Sequence, residues 1–305
     1  MTMRVPNIMN NAQSMLDLQR IKQMYSTTVQ QLTTGQAVVN LGDDPAASDQ
    51  IMNYQSSVAL NSQYLSQADT ATGQMQSTST VLTAISSDVS RVLSLAQNGL
   101  SSNNASAEAA EVDSIRTDLI SVGNTQLQGK YIFAGTKTTT VPFVDNVPAT
   151  PTTPQSVTYQ GNSGLINVNV GMSATVTTNI PGDSLYFGPS GQGSATDLLA
   201  QVTAVRDALT SGNSAALQTA YTNLQAISDR LEVAGTDMGG RENGVTTLQT
   251  SLSDFNANLS AQQSKVQSVD YPTAITQLNQ ESVAEQASLS AMSKANQKSL
   301  FDYLA

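Results

Sequence analysis

The chain has 305 residues, 13 Lys plus Arg against 23 Asp plus Glu, and neither Cys nor His. A net charge of −10 argues against a nucleic-acid partner, and without thiols or imidazoles there is no disulfide, zinc–cysteine site, cysteine nucleophile or Ser-His-Asp triad. Only 12% of residues are charged, about half the usual share of a soluble globular protein, and the catalytic chemistry still open is paired carboxylates, Ser-Lys, Tyr or a carboxylate-bound metal.

In chain order, the first element expected is a helix whose seam is Met15, Leu18, Tyr25, Val29 and Leu32, interrupted by Lys22. The stretch from Leu32 to Ala47 joins it to the next helix. Gly35 suits a helix C-cap, and Asp44-Pro45 suits an N-cap followed by Pro at the first helical position. Asp43 and Asp44 read as capping acids rather than metal ligands, because the next carboxylate is Asp49 and no imidazole exists. From Ile51 to Leu100, alternating steps of three and four pass through Ala68, Thr72, Met75, Ser79, Leu82, Ser86, Val89, Leu93 and Ala96, and eleven of the fifteen positions in this series are apolar. At ~1.5 Å per residue that is a rod of roughly 75 to 85 Å. Gly73 weakens it, and Gly99 to Asn104 reads as a closing loop. A third helix on Val112, Ile115, Leu119 and Val122 is expected to end near Gly129, with Glu108, Glu111, Asp113 and Asp118 on its solvated face.

Residues 136–194 differ in kind, being rich in Thr, Pro, Gly and Val. The alternation from Leu165 to Val170 between Gly164 and Gly171 reads as a half-buried strand, and Val141–Val144 and Ala174–Thr177 are further β-branched runs. Helical spacing returns at Leu198, Val202, Val205 and Leu209, then at Leu217, Leu224, Ile227 and Leu231. The glycine-rich stretch from Gly235 to Gly244 reads as a turn, since it lacks the Lys-Ser/Thr of a phosphate-binding loop and no strand precedes it. A stripe from Val245 to Val269 follows, broken at Asp270-Tyr271-Pro272. The last helix places Ile275, Leu278, Leu289 and Met292 on one seam, with Ser282 and Glu285 between them, and Leu300, Phe301, Tyr303 and Leu304 crowd its end. Polar seam positions at both ends of the chain predict helices that order only on association. The Leu300–Leu304 cluster is an apolar patch of the kind that marks a contact surface.

The expected fold is mainly α with a β-rich insert: an elongated helical bundle or coiled coil built from both chain halves, with a distal antiparallel β domain. Residues 1–42 with 270–305 would form a terminal coiled coil, 43–135 with 195–269 a long-helix rod, and 136–194 an exposed insert without which the helical frame still folds. No apolar run reaches the ~20 residues of a membrane helix, and the N-terminus lacks the apolar core of a secretory signal. No nucleophile, base and oxyanion donor group together, so no catalytic, cofactor-binding or metal-binding residue is expected.

Specific segments then carry a resemblance. Leu32-Thr33-Thr34-Gly35, Val38-Val39-Asn40 and Asp43-Asp44-Pro45-Ala46-Ala47 look like the N-terminal signature of bacterial flagellins. Gly129-Lys130-Tyr131-Ile132-Phe133-Ala134-Gly135-Thr136-Lys137 with Pro142-Phe143, and the end from Asp270-Tyr271 to Ser299-Leu300-Phe301-Asp302-Tyr303-Leu304, resemble the hook–filament junction branch of that superfamily. Tyr159-Gln160-Gly161-Asn162 and Gly239-Gly240-Arg241-Glu242-Asn243 fall in the order of the family pattern, although Gln160-Gly161-Asn162 and Asn40-Leu41-Gly42 depart from its more familiar steps. The resemblance implies a non-enzymatic structural subunit, exported unfolded by the flagellar type III route and held beforehand by a cytoplasmic chaperone. It would assemble as a ring of identical copies in the extracellular flagellum, between a hook-side junction protein and flagellin, and be needed for filament attachment and motility. The terminal helices would form the inner wall. The alternatives are the bulk flagellin subunit and, from another class, a coiled-coil surface adhesin. A filament-borne metalloprotease would need His-Glu-x-x-His, which a chain without His cannot supply.

Overall fold

A computed structural model describes residues 4–40, 42–101, 105–146 and 156–304, with side chains described over 12–40, 42–100, 106–146 and 156–294. The order is helix α1 (Arg4–Thr34), α2 (Pro45–Ser101), α3 (Ala105–Gly123), strands β1 (Gln126–Leu127), β2 (Lys130–Tyr131), β3 (Phe143–Asn146), β4 (Ser156–Tyr159), β5 (Asn167–Asn169) and β6 (Thr175–Thr177), a π-helical turn (Asp183–Phe187), then α4 (Leu198–Ser211), α5 (Ser214–Gln267) and α6 (Tyr271–Leu304). The mainly α fold with antiparallel β pairs agrees with the sequence. The chain divides into two compact units, Asn61–Asp254 and Met1–Leu60 with Phe255–Ala305.

Within Asn61–Asp254, α2 and α5 run antiparallel. The Gln249 side-chain amide donates to Asp69 at 2.7 Å and that of Gln76 to Glu242 at 2.9 Å, so an advance along one helix is an equal retreat along the other. α2 buries Ala68, Ala71, Met75, Thr78, Leu82, Ile85, Val89, Val92 and Ala96. Every second position of the expected stripe is kept, and the alternates move back by one: Ala71, Thr78, Ile85 and Val92 are inside, while Thr72, Ser79, Ser86 and Leu93 flank them half-buried. Both spacings are heptads, and the one adopted buries the branched Ile85 in place of Ser86.

The glycine-rich stretch is not a turn. α5 passes straight through it, because the buried positions Leu231, Met238 and Val245 continue the stripe of Leu217, Leu224 and Ile227 on either side. A Cβ at Gly235, Gly239, Gly240 or Gly244 would meet nothing, so these glycines face open space. Each costs about 1 kcal/mol relative to Ala; the tertiary packing of the opposite face outweighs that. α4 is capped at both ends: the Asp197 carboxylate accepts the Ala200 N–H, and Gly212 closes the helix at φ 66°.

α3 stops at Gly123, short of Gly129. Gly129 (φ 76°) and Gln128 (φ 52°) instead form the left-handed turn of the β1–β2 hairpin. β3 pairs with β4 (Phe143 opposite Tyr159) and β5 with β6 (Val168 opposite Val176). Among the described residues these make three separate two-stranded sheets.

Nor is the insert independent of the helical frame. Phe143, Val157, Val170, Leu185, Tyr186 and Phe187 belong to one core with the buried faces of α2, α3, α4 and α5. Phe143 sits 4.3 Å from Tyr186, 5.3 Å from Tyr159 and 6.2 Å from Phe187, ring centre to ring centre. The Tyr186 hydroxyl donates to the Leu119 carbonyl of α3 at 2.8 Å. Arg116 of α3, 1% exposed, makes a two-pronged pair with Asp145 of β3 at 2.8 and 3.1 Å and reaches the Thr203 hydroxyl of α4. Three short two-stranded ribbons cannot stand alone in water, so their aromatic face completes the helical core.

Two segments that carried the resemblance meet here. Asn162 accepts the Thr136 N–H at 2.8 Å and its amide donates back to the Thr136 hydroxyl. A Cβ at Gly135 (φ 66°) would overlap the Asn162 carbonyl, so only Gly fits at that crossing.

Candidate assembly surface

In Met1–Leu60 with Phe255–Ala305 the organising feature is a joint between four helix ends. α1 closes on Gly35 (φ 71°), whose N–H donates to the Gln31 carbonyl. α5 closes at Gln267. The Ala37 N–H then donates to the Gln267 carbonyl at 2.7 Å, and the Val269 N–H to the Gly35 carbonyl at 3.0 Å, which makes an antiparallel bridge between Gln36 and Ser268. The Gln31 side-chain amide adds a bond to the Ala37 carbonyl at 2.6 Å. A Cβ on Gly35 would press on the Tyr271 hydroxyl at 3.0 Å, so φ and space both require glycine there. Asp44 caps α2, accepting the N–H groups of Ala46 and Ala47 at 3.0 Å, and Asp43 accepts the Asn40 N–H at 2.8 Å. Asp44 is therefore the cap, while Asp43 holds the loop that leads to it. Among the described residues, no group of three or more carboxylates could hold a metal ion.

From this joint α1 and α6 pair along their length, antiparallel because the end of one is tied to the start of the other. α1 turns Leu18, Ile21, Tyr25, Thr28 and Leu32 toward its neighbour, and α6 turns Ala274, Leu278, Glu281, Glu285, Ser288 and Met292. Among the described residues of the pair, only Thr28 (2% exposed), Ala274 (5%) and Glu281 (6%) are fully buried. Of the residues the sequence singled out, Leu18, Tyr25, Leu32, Leu278 and Met292 lie half-buried on this seam. Met15, Val29, Ile275 and Leu289 lie beside it and are exposed, to 58%, 36%, 50% and 47%. Leu16, Met24, Tyr271 and Val283 add to the exposed apolar surface. The side chains of Leu300, Phe301, Tyr303 and Leu304 lie outside the described residues; the backbone of α6 is helical through Leu304. The seam members missed from sequence, Ile21, Thr28, Ala274 and Glu281, carry the same heptad spacing shifted by one residue, a phase that Lys22 and Ile275 do not distinguish.

Profiles of the bacterial flagellin N-terminal helical region and the bacterial flagellin C-terminal helical region match residues 5–138 and 221–304. The chain belongs to the bacterial flagellin family. α1 falls, all but its first residue, inside the first match and α6 inside the second, so the flagellin-family segments meet in this helix pair. The chain is 27% identical to flagellar hook-associated protein 3 of Escherichia coli, over 89% of this chain and 90% of that one. It is 26% identical to the protein of the same name from Salmonella typhimurium, over 98% and 99%. The fold is that of the crystal structure of the flagellar junction protein FlgL from Legionella pneumophila, with a TM-score of 0.59 at 14% identity, covering 72% of this chain and 99% of the other. As a flagellin-family member the chain assembles with other flagellar components. Among the described residues, no helix is long and apolar enough to cross a membrane.

Proposed function

We propose that this chain is a structural subunit of the bacterial flagellum that joins hook to filament, and that α1 and α6 are its assembly element. The observation that carries the reading is the exposed apolar side of that pair. Met15, Val29, Ile275 and Leu289 lie outside the seam in which α1 and α6 meet, so a partner must cover them. Residues 1–42 and 270–305 form the assembly core, and Leu300, Phe301, Tyr303 and Leu304 extend it. Its partners are further copies of itself, a hook-side junction protein, flagellin and, before export, a cytoplasmic chaperone. The subunit acts by packing and performs no catalysis, outside the cell at the hook–filament junction.

A strain lacking the gene is expected to build hooks without filaments and to lose swimming, with both restored by the intact gene. Filaments of normal length on its hooks would remove the junction role. Copy number separates junction from bulk subunit: a few per filament is expected, and thousands would make the chain a flagellin. Phe301→Ala with Leu304→Ala is expected to impair filament attachment and chaperone binding while residues 61–254 stay folded; normal swimming and chaperone affinity would make the tail a passive end.

A further inference from the structure

Beside the α1–α6 seam lies an open groove of about 690 Å³, lined among others by Ile21 and Met24 of α1 and by Gln277, Gln280, Glu281 and Ala284 of α6. Glu281 is 6% exposed. One of its oxygens accepts the Gln277 side-chain amide at 3.0 Å, and the other is buried without a hydrogen-bond partner among the described residues. A carboxylate removed from water and left half-satisfied is a costly arrangement that a cation relieves. Of the three cations of α1, Arg20 and Lys22 are exposed and in no ion pair among the described residues. They flank Ile21, yet neither reaches Glu281 within the chain.

We infer that Glu281 is the acceptor for a cation from a second copy of this chain, which lays its own α1 along the groove and presents Arg20 or Lys22. Each copy carries both halves of the pair, so one kind of contact serves every copy in the assembly. The same approach lets the second copy cover Met24 and the apolar side chains next to the seam. A carboxylate in the seam also fixes register, since a slide of one helical turn would leave both charges unmatched. The inference rests on the assembly role proposed for α1 and α6, and adds the partner and the contact.

The chain contains no Cys, so introduced thiols are unambiguous. Full-length Glu281→Cys and Lys22→Cys chains (and, separately, Arg20→Cys) are mixed and treated with a short bis-maleimide, because a lysine–carboxylate pair spans more than a disulfide can. Cross-linked dimers are expected in the mixture and not in either chain alone. Sedimentation of Glu281→Gln, which keeps the shape and loses the charge, is expected to show self-association weakened about tenfold or more, with the unfolding midpoint of the dilute chain not lowered. Glu281→Lys should block association, and Arg20→Glu with Lys22→Glu in the same chain should restore it. The inference is overturned by cross-links confined to one chain in a double-Cys variant, by unchanged association of Glu281→Gln, by cross-linking to added flagellin in place of a second copy, or by no association up to the solubility limit. A deletion strain that keeps its filaments would remove the junction role and leave a positive cross-link standing. A negative cross-link beside filament-less hooks would do the reverse.

Discussion

Where α2 and α5 line the core of Asn61–Asp254, the inward positions hold Met75, Leu82, Ile85, Val89, Leu231 and Met238, all buried. Where α1 meets α6, the fully buried positions hold Thr28, Ala274 and Glu281, while Met15, Ile275 and Leu289 remain about half exposed. The heptad is the same and its contents are opposite. One unit spends its large apolar side chains on itself and is stable by its own packing. The other keeps them on the outside, so its stability depends on what docks there. That division suits a subunit whose body folds on its own packing and whose ends are finished by neighbours.

The difference can be broken most forcefully by removing residues 136–194 and joining the ends through a Gly-rich linker. Because Phe143, Tyr186 and Phe187 complete the core of Asn61–Asp254, this should abolish its cooperative unfolding by circular dichroism; a full helical signal with an unchanged transition would make the insert dispensable. Phe143→Ala is the milder version. At 1% exposure and amid three aromatic neighbours it should cost about 3–5 kcal/mol in urea unfolding. A smaller effect is expected from Asp88→Asn. Burial, aided by Asp118, raises the Asp88 carboxyl above its ordinary value, so the folded state holds this proton more tightly than the unfolded chain. Its contribution to stability is present at low pH and lost as pH rises through the folded pKa. The variant should therefore be more stable than the parent at pH 7, and the gain should vanish below the ordinary carboxylate range. A gain that is constant with pH would point to packing instead. Last comes the triple change Met15→Ser, Ile275→Ser and Leu289→Ser. Substitutions at exposed sites should move dilute-chain stability by no more than about 0.5 kcal/mol, while filament attachment in cells is lost. A large drop in dilute-chain stability would show that the outer side of α1 and α6 is satisfied within the chain after all.

Local chemistry was readable residue by residue. Asp44-Pro45 and Gly35 act as caps because a cap depends on its immediate neighbours. Helix existence was equally legible from periodicity. Phase was not: in α1, α2 and α6 alternate seam positions fall one residue earlier than expected, because steps of three-then-four and four-then-three fit a heptad equally and only the partner helix decides. The glycine-rich stretch misled for a related reason, since local propensity favours a turn and a buried stripe built from distant helices overrules it. The aromatic core left no local pattern at all. Phe133, Phe143, Tyr159, Tyr186 and Phe187 are scattered across strands, loop and π turn, and their meeting is a property of the tertiary fold. Glu281 was overlooked because a glutamate in a polar-looking helix has no sequence signature of burial.

The bridge between Gln36 and Ser268 has a consequence for time as well as for shape. Its two strands lie roughly 230 residues apart in the chain, so the loop they close is among the longest the protein contains, and such contacts form late. α1 leaves the ribosome well before α6 and waits for it. During synthesis, and again whenever the chain is drawn out in extended form, α1 has no intramolecular mate. An amphipathic segment in that position is either held by another protein or left to find a wrong one. Separating α1 from α6 by more than two hundred residues of chain thus builds a delay into the pairing of the two helices.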